Sequence, residues 1–202
     1  MWRVPQNDIV NKNIVSQRDV FLLIIFKVVL CIFVLAGYYV IMKILAIDPG
    51  YERVGVAMLK KTASGSGGEK LIYSDCFKTS AKLAFTERLY LIGEEIERII
   101  KKYKPKAFAI EKLYFNTNQK TATMVSEARG VFIYIALKNK LKIFEYTPLQ
   151  IKAAVCGDGR GDKKQIITMV KKLIKINKLI KYDDEYDAIA VGIACFASER
   201  NF

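Results

Sequence analysis

The chain has 202 residues and a mass of 23.0 kDa, enough for one domain with a sizeable core and an appendage but not for two large domains. Hydrophobic residues at 52% against 26% charged, with only 4 Pro and 12 Gly, exclude a disordered or fibrous chain. Lys and Arg number 33 against 20 Asp and Glu, and the net charge of +13 predicts a polyanionic partner, either nucleic acid or an anionic membrane surface.

The first 42 residues read as a hydrophobic extension. Val20 to Met42 is 23 residues long with Lys27 as its only charge, long enough as a helix to cross a ~30 Å hydrocarbon core. A transmembrane anchor over 20–42 is one reading. The favoured one is an extension upstream of the true start, because a core strand beginning at Lys43 leaves no linker to hold a domain clear of lipid. The domain is accordingly expected to span 43–202.

Residues 43–48 form a short apolar run suited to a buried strand. After the Pro49-Gly50 turn, 54–59 reads as a second strand, the Gly/Ser tract 64–68 as a hairpin tip and 71–77 as a third strand, together an antiparallel meander. Phe85, Leu89, Ile92, Ile96 and Ile99 mark one face of a helix ending before Pro105. Ala107 to Ile110 follows as a buried fourth strand. Asn116 to Asn118 can cap a helix running to about Leu137, and Lys142 to Tyr146 is a fifth strand ending at Thr147-Pro148. Two last helices are predicted at 162–176 and 183–198. The pattern is α/β, a mixed five-stranded sheet flanked by helices.

Histidine is absent, which excludes Ser-His-Asp and Cys-His catalysis and every zinc site containing His. The four cysteines, Cys31, Cys76, Cys156 and Cys195, form no C-x-x-C pair, so neither a zinc knuckle nor a disulfide framework is encoded and a reducing cytoplasm fits best. Catalysis is left to carboxylates, lysines or a metal held by oxygen. Asp48 and Glu111 each end a strand, and Asp184 and Asp187 lie three apart at the start of the last helix, where Asp183 and Glu185 add further charge. Singly, these acids have ordinary uses, capping a turn or complementing a helix dipole. Together they match hard oxygen ligands for Mg²⁺ or Mn²⁺, two of which can clamp an in-line phosphodiester hydrolysis. Between Lys138 and Lys181 there are 12 basic residues against 3 acidic ones, Glu145, Asp158 and Asp162, and this one-signed stretch reads as a phosphate-binding surface.

The segments ILAIDPG (44–50), AIEKLYFNTN (109–118), SEARG (126–130), FEYTPLQIKAAVCGDG (144–159), DKKQI (162–166) and DDEYDAIAVGIA (183–194) resemble, in order, the RuvC family of Holliday-junction resolvases. D-P-G alone is weak, because actin-like ATPases also place Asp and Gly after a first strand. The second Asp-x-Gly phosphate loop of an actin-like phosphotransferase does not follow Glu111, however. The resemblance implies a ribonuclease-H-like fold, a homodimer, and paired symmetric Mg²⁺-dependent nicks in four-way junction DNA, with two Mg²⁺ per active site, Mn²⁺ able to substitute, and a branch-migration motor as a further partner. It implies Asp48, Glu111, Asp184 and Asp187 as metal-binding acids, with Asp183 adjacent as an alternative to Asp184. Tyr114 falls where the family carries an aromatic that stacks on a junction base, with Phe115 as a substitute. Lys152 and Lys163 fall on basic positions near the cleaved phosphate, where Lys163 could stabilise transition-state charge; its neighbour Lys164 and the loop residue Arg160 join the DNA-binding set. Gly157, Gly159 and Gly161 would let that loop approach DNA, while Arg129-Gly130 is assigned to helix packing or backbone contact. A non-catalytic junction-binding protein on the same fold is the alternative.

Overall fold

The computed structural model describes residues 21–22, 24–28, 41–62, 68–113 and 119–199. The chain divides into two compact units, 1–39 and 40–202. In the first, residues 21–22 and 24–28 are helical, and no helix among the described residues is long and apolar enough to cross a membrane. Most of the 20–42 run lies outside the described residues.

The second unit runs β1 (Ile41–Asp48), β2 (Arg53–Thr62), β3 (Lys70–Lys78), α1 (Phe85–Tyr103), β4 (Ala107–Glu111), α2 (Gln119–Lys138), β5 (Lys142–Tyr146), α3 (Pro148–Cys156), α4 (Lys163–Leu173) and α5 (Asp183–Ser198). The sheet order is β3-β2-β1-β4-β5. β1, β2 and β3 are antiparallel neighbours, and β4 and β5 continue in parallel from β1. The domain boundary expected at 42/43 falls inside β1. Met42 pairs with Lys61 and packs, half-buried, against the core, so the end of the apolar run belongs to the sheet.

The uninterrupted apolar run of β1 is explained by burial on both faces. Ile44 and Ala46 face a core built with α3, α4 and α5, while Leu45 and Ile47 face one built with α1 and α2, and all four are fully buried. α5 is the central helix, buried along nearly its whole length. Small residues let it lie close on the sheet: a Cβ on Gly192 would stand 2.3 Å from Leu59 Cδ1.

The helix ends show local chemistry. α1 stops where Lys104 turns left-handed (φ 51°), its N–H donating to the Ile100 carbonyl at 2.8 Å. α3 is an element the sequence reading missed, although its start signal is explicit. The Gln150 N–H donates to Thr147 Oγ1 at 3.2 Å, the Thr147 N–H donates to Gln150 Oε1 at 2.8 Å, and Pro148 opens the helix. α4 has the same reciprocal cap between Asp162 and Gln165, at 2.8 and 3.1 Å. It ends at Leu173 rather than 176, because Ile174 turns extended and buries its side chain completely. Asn116 to Asn118, the expected cap of α2, lie outside the described residues.

Candidate active site

The parallel strands β1 and β4 end side by side. Ile47 is opposite Ile110, so Asp48 and Glu111 occupy the next rung on strands about 4.8 Å apart. Side chains at the carboxyl ends of neighbouring parallel strands converge on one rim, where open α/β sheets commonly form sites. The first turn of α5 brings Asp183, Asp184 and Asp187 to that rim. Its approach depends on Gly55, which pairs with Asp48 across β1 and β2: a Cβ there would lie 1.9 Å from the Asp184 carbonyl oxygen and 3.1 Å from Asp48 Cβ.

These acids feel one another. Burial raises Asp48 well above the usual carboxylate range, and Asp187, Glu111 and Asp184 raise it further, with Lys163 opposing. Burial and then Asp187 push Glu111 up to about 7, against the pull of Lys152 and Lys163. Asp187 is also raised, chiefly by burial, although Lys163 works against the shift. Asp183 behaves oppositely, held below its ordinary value by its hydrogen bond from Lys163.

Cations reach in from other elements. Lys163 Nζ, in the first turn of α4, lies 2.5 Å from Asp183 Oδ2 and 3.2 Å from Asp187 Oδ2. These ion pairs outweigh the effect of burial and raise the Lys163 ammonium above its usual value. Arg53 Nε, at the start of β2, is 3.3 Å from Asp184 Oδ2, and Cys76 Sγ on β3 donates to that same oxygen at 3.9 Å. Beside the acids, Glu111, Asp187, Lys152 and Lys163 line a cleft of about 190 Å³ floored by Ile151 and Ile166.

Among the described residues no three acids stand close enough to enclose a metal ion as they are. The chemistry of the set nonetheless suits a hard divalent cation. Its donors are all carboxylate oxygens, and burial together with the neighbouring carboxylates drives three of the four carboxyls towards their neutral forms, which a cation would reverse.

The structure thus brings together Asp48, Glu111, Asp184, Asp187, Lys152 and Lys163. It separates Lys163 from Lys164, which is exposed and outside the cleft lining. Arg160 is exposed in the loop after α3, where its N–H donates to Asp158 Oδ1 at 3.0 Å. Tyr114 and Phe115 lie outside the described residues. Gly157 (φ 76°) is the left-handed cap of α3, and Gly159 packs against Leu149, so both have roles within the fold. Of the lysines between 138 and 181, several have local partners: Lys138 pairs with Glu97 at 3.3 Å, Lys171 lies over the Tyr186 ring, and Lys178 pairs with the buried Glu185 and donates to the Ser74 carbonyl at 2.6 Å.

Two contributors escaped the sequence reading. Arg53 and Gly55 sit in an ordinary strand pattern and matter only because α5 lands on them. Arg129, expected in helix packing or backbone contact, braces Glu111 from α2, its Nε donating to the Glu111 carbonyl at 3.3 Å and its Nη2 to Glu145 Oε1 at 2.5 Å.

Comparison with known proteins gives a consistent result. The profile of the family described as crossover junction endodeoxyribonuclease RuvC matches residues 44–195. The crossover junction endodeoxyribonuclease RuvC of Alkaliphilus oremlandii is 46% identical over 161 residues, covering 80% of this chain and 96% of that protein. That of Finegoldia magna is 43% identical over 152 residues, covering 75% and 91%. Among solved structures, Thermus thermophilus RuvC in complex with a Holliday junction substrate superposes with a TM-score of 0.69 at 24% identity, covering 76% of this chain and 92% of that one.

Proposed function

This chain belongs to the RuvC family of crossover junction endodeoxyribonucleases, with its ribonuclease-H-like fold, and we propose that it resolves four-way (Holliday) DNA junctions by paired symmetric metal-dependent nicks. The observation that carries this reading is the convergence of Asp48, Glu111, Asp184 and Asp187 on one rim of the sheet, beside a cleft that also presents Lys152 and Lys163. The four carboxylates would hold the metal, Mg²⁺ or in its place Mn²⁺. Two such ions at the site would supply Lewis acidity for hydrolysis of a phosphodiester.

The chain's own groups supply the rest. Lys152 and Lys163 offer ammonium donors to the phosphate under attack, and both act in a recessed cleft where charge is less screened than in bulk water. Arg129 fixes the strand end bearing Glu111, and Gly55 admits the backbone bearing Asp184. Lys164, Arg160, Tyr114 and Phe115 are assigned to holding DNA around the cleft. Symmetric nicks on two strands require two such sites, which makes a homodimer the working unit. A branch-migration motor is the further partner, and the cytoplasm the place of action. Nothing favours the non-catalytic alternative. The nuclease domain is the unit that carries β1, and residues 1–39 are dispensable to it.

The test is incubation of the full chain with an end-labelled synthetic four-way junction, with and without Mg²⁺. Paired nicks at symmetric positions are expected only with metal. Asp48→Asn should bind the junction as before and cut nothing, and full cleavage by that variant refutes the site assignment. A chain beginning at Val40 should keep solubility and cleavage.

A further inference from the structure

Asp183, Asp184 and Asp187 lie close together at the start of α5, but their carboxylates have different partners. Asp184 faces β2 and β3, with Arg53 Nε at 3.3 Å and Cys76 Sγ at 3.9 Å. Asp187 lines the cleft and meets Lys163 at 3.2 Å. Asp183 does not line the cleft, its side chain is 42% exposed, and its Oδ2 takes the shorter contact to Lys163, 2.5 Å. Lys163 itself is 54% exposed on a flexible four-carbon stem, so its ammonium needs an anchor to act at one point. Asp187 is shared between Lys163 and the acid cluster, where its charge acts on both Asp48 and Glu111, whereas Asp183 is committed to Lys163.

We propose that Asp183 is a positioning residue that holds Lys163 at the mouth of the cleft, and that it stands outside the metal-ligand set. The proposal rests on the junction-resolving reading above. Two carboxylates one turn apart on the same face of α5 locate the ammonium better than one. When Asp187 serves a metal, Asp183 is the acceptor left to the lysine. Removing its charge while keeping its shape should therefore misplace Lys163 without weakening metal binding.

The experiment compares the full chain with Asp183→Asn and Asp183→Glu by three measurements. These are the single-turnover cleavage rate of a four-way junction at saturating Mg²⁺, Mn²⁺ binding by electron paramagnetic resonance, and the thermal midpoint. Asp183→Asn should slow cleavage about ten- to a hundredfold, the scale of a misplaced reacting group, with Mn²⁺ binding and thermal midpoint unchanged. Asp183→Glu should recover most of the rate, because the longer carboxylate still reaches Lys163. Weakened Mn²⁺ binding by Asp183→Asn overturns the proposal by making Asp183 a ligand, and an unchanged cleavage rate overturns it by making the ion pair idle. Absence of cleavage by the unsubstituted chain overturns the resolvase reading and this proposal with it, whereas cleavage that Asp183→Asn leaves intact overturns this proposal alone.

Discussion

Gly55→Ala adds one methyl group at the point where the sheet meets the acidic turn of α5. The added carbon would lie 1.9 Å from the Asp184 carbonyl oxygen, a backbone atom that cannot rotate away as a side chain does. Either the first turn of α5 retreats by more than about 1 Å or β2 bends, since non-bonded contacts below 3.0 Å are not tolerated. Overpacking of this kind costs about 1–3 kcal/mol, which for a unit of this size lowers the thermal midpoint by roughly 3–10 °C. Alanine is otherwise the better strand residue, so any loss reports the clash rather than propensity. The effect on function should be larger. A displacement near 1 Å of Asp184 relative to Asp48 would slow cleavage on the order of 100-fold. Calorimetry and single-turnover cleavage of a four-way junction read the two effects. Gly68→Ala, where an added Cβ meets nothing within 4 Å, is the control and should match the parent. A Gly55→Ala protein with the parent's midpoint and rate refutes the claim that this close approach assembles the site.

Three other outcomes follow from the same geometry. The Glu111 carboxyl titrates at about 7 in the metal-free fold against 4.5 for a free side chain, so between those values the folded chain binds more protons than the unfolded one. Stability should therefore fall as pH rises from about 4.5 to 7, by on the order of 2–3 kcal/mol from this group, and millimolar Mg²⁺ should restore it; thermal melts at pH 5 and pH 8 that coincide without metal contradict this. Arg129→Met removes the donor to the Glu111 carbonyl and the partner of Glu145. It should cost about 1–2 kcal/mol in denaturant unfolding and reduce cleavage while leaving junction binding near the parent's. Gly130→Ala places a methyl group in open space on an exposed position of α2, and should stabilise the chain by about 0.5–1 kcal/mol in the same unfolding assay.

Much of the molecule was legible from local pattern. The five strands, their meander and later alternation, and the buried face of α1 follow from apolar periodicity, because burial on a sheet or helix face imposes a period that the chain itself must carry. The acids at the ends of β1 and β4 and at the start of α5 could be singled out for the same reason. A charged residue closing an apolar run must lie at a rim. α3 was missed through a turn signal read as a terminator, although Thr147, Pro148 and Gln150 spell a helix start as clearly as a strand end. Hydropathy does not divide the apolar run from the strand that continues it, and only pairing with β2 assigns Met42 to the sheet.

Tertiary structure alone decided what each charge does. Lys163 and Lys164 are equivalent in sequence, but a step of about 100° around α4 sends one ammonium to Asp183 and Asp187 and leaves the other outside the cleft. Adjacent acids of α5 likewise diverge, Asp184 meeting Arg53 and Cys76 while Asp183 meets Lys163. Gly55 acquires its purpose from a carbonyl far along the chain. Residue type and spacing determine which groups can reach the rim, because those depend on local geometry. The packing of α4 and α5 onto the sheet determines which groups meet there, because contact depends on the close approach of elements remote in sequence.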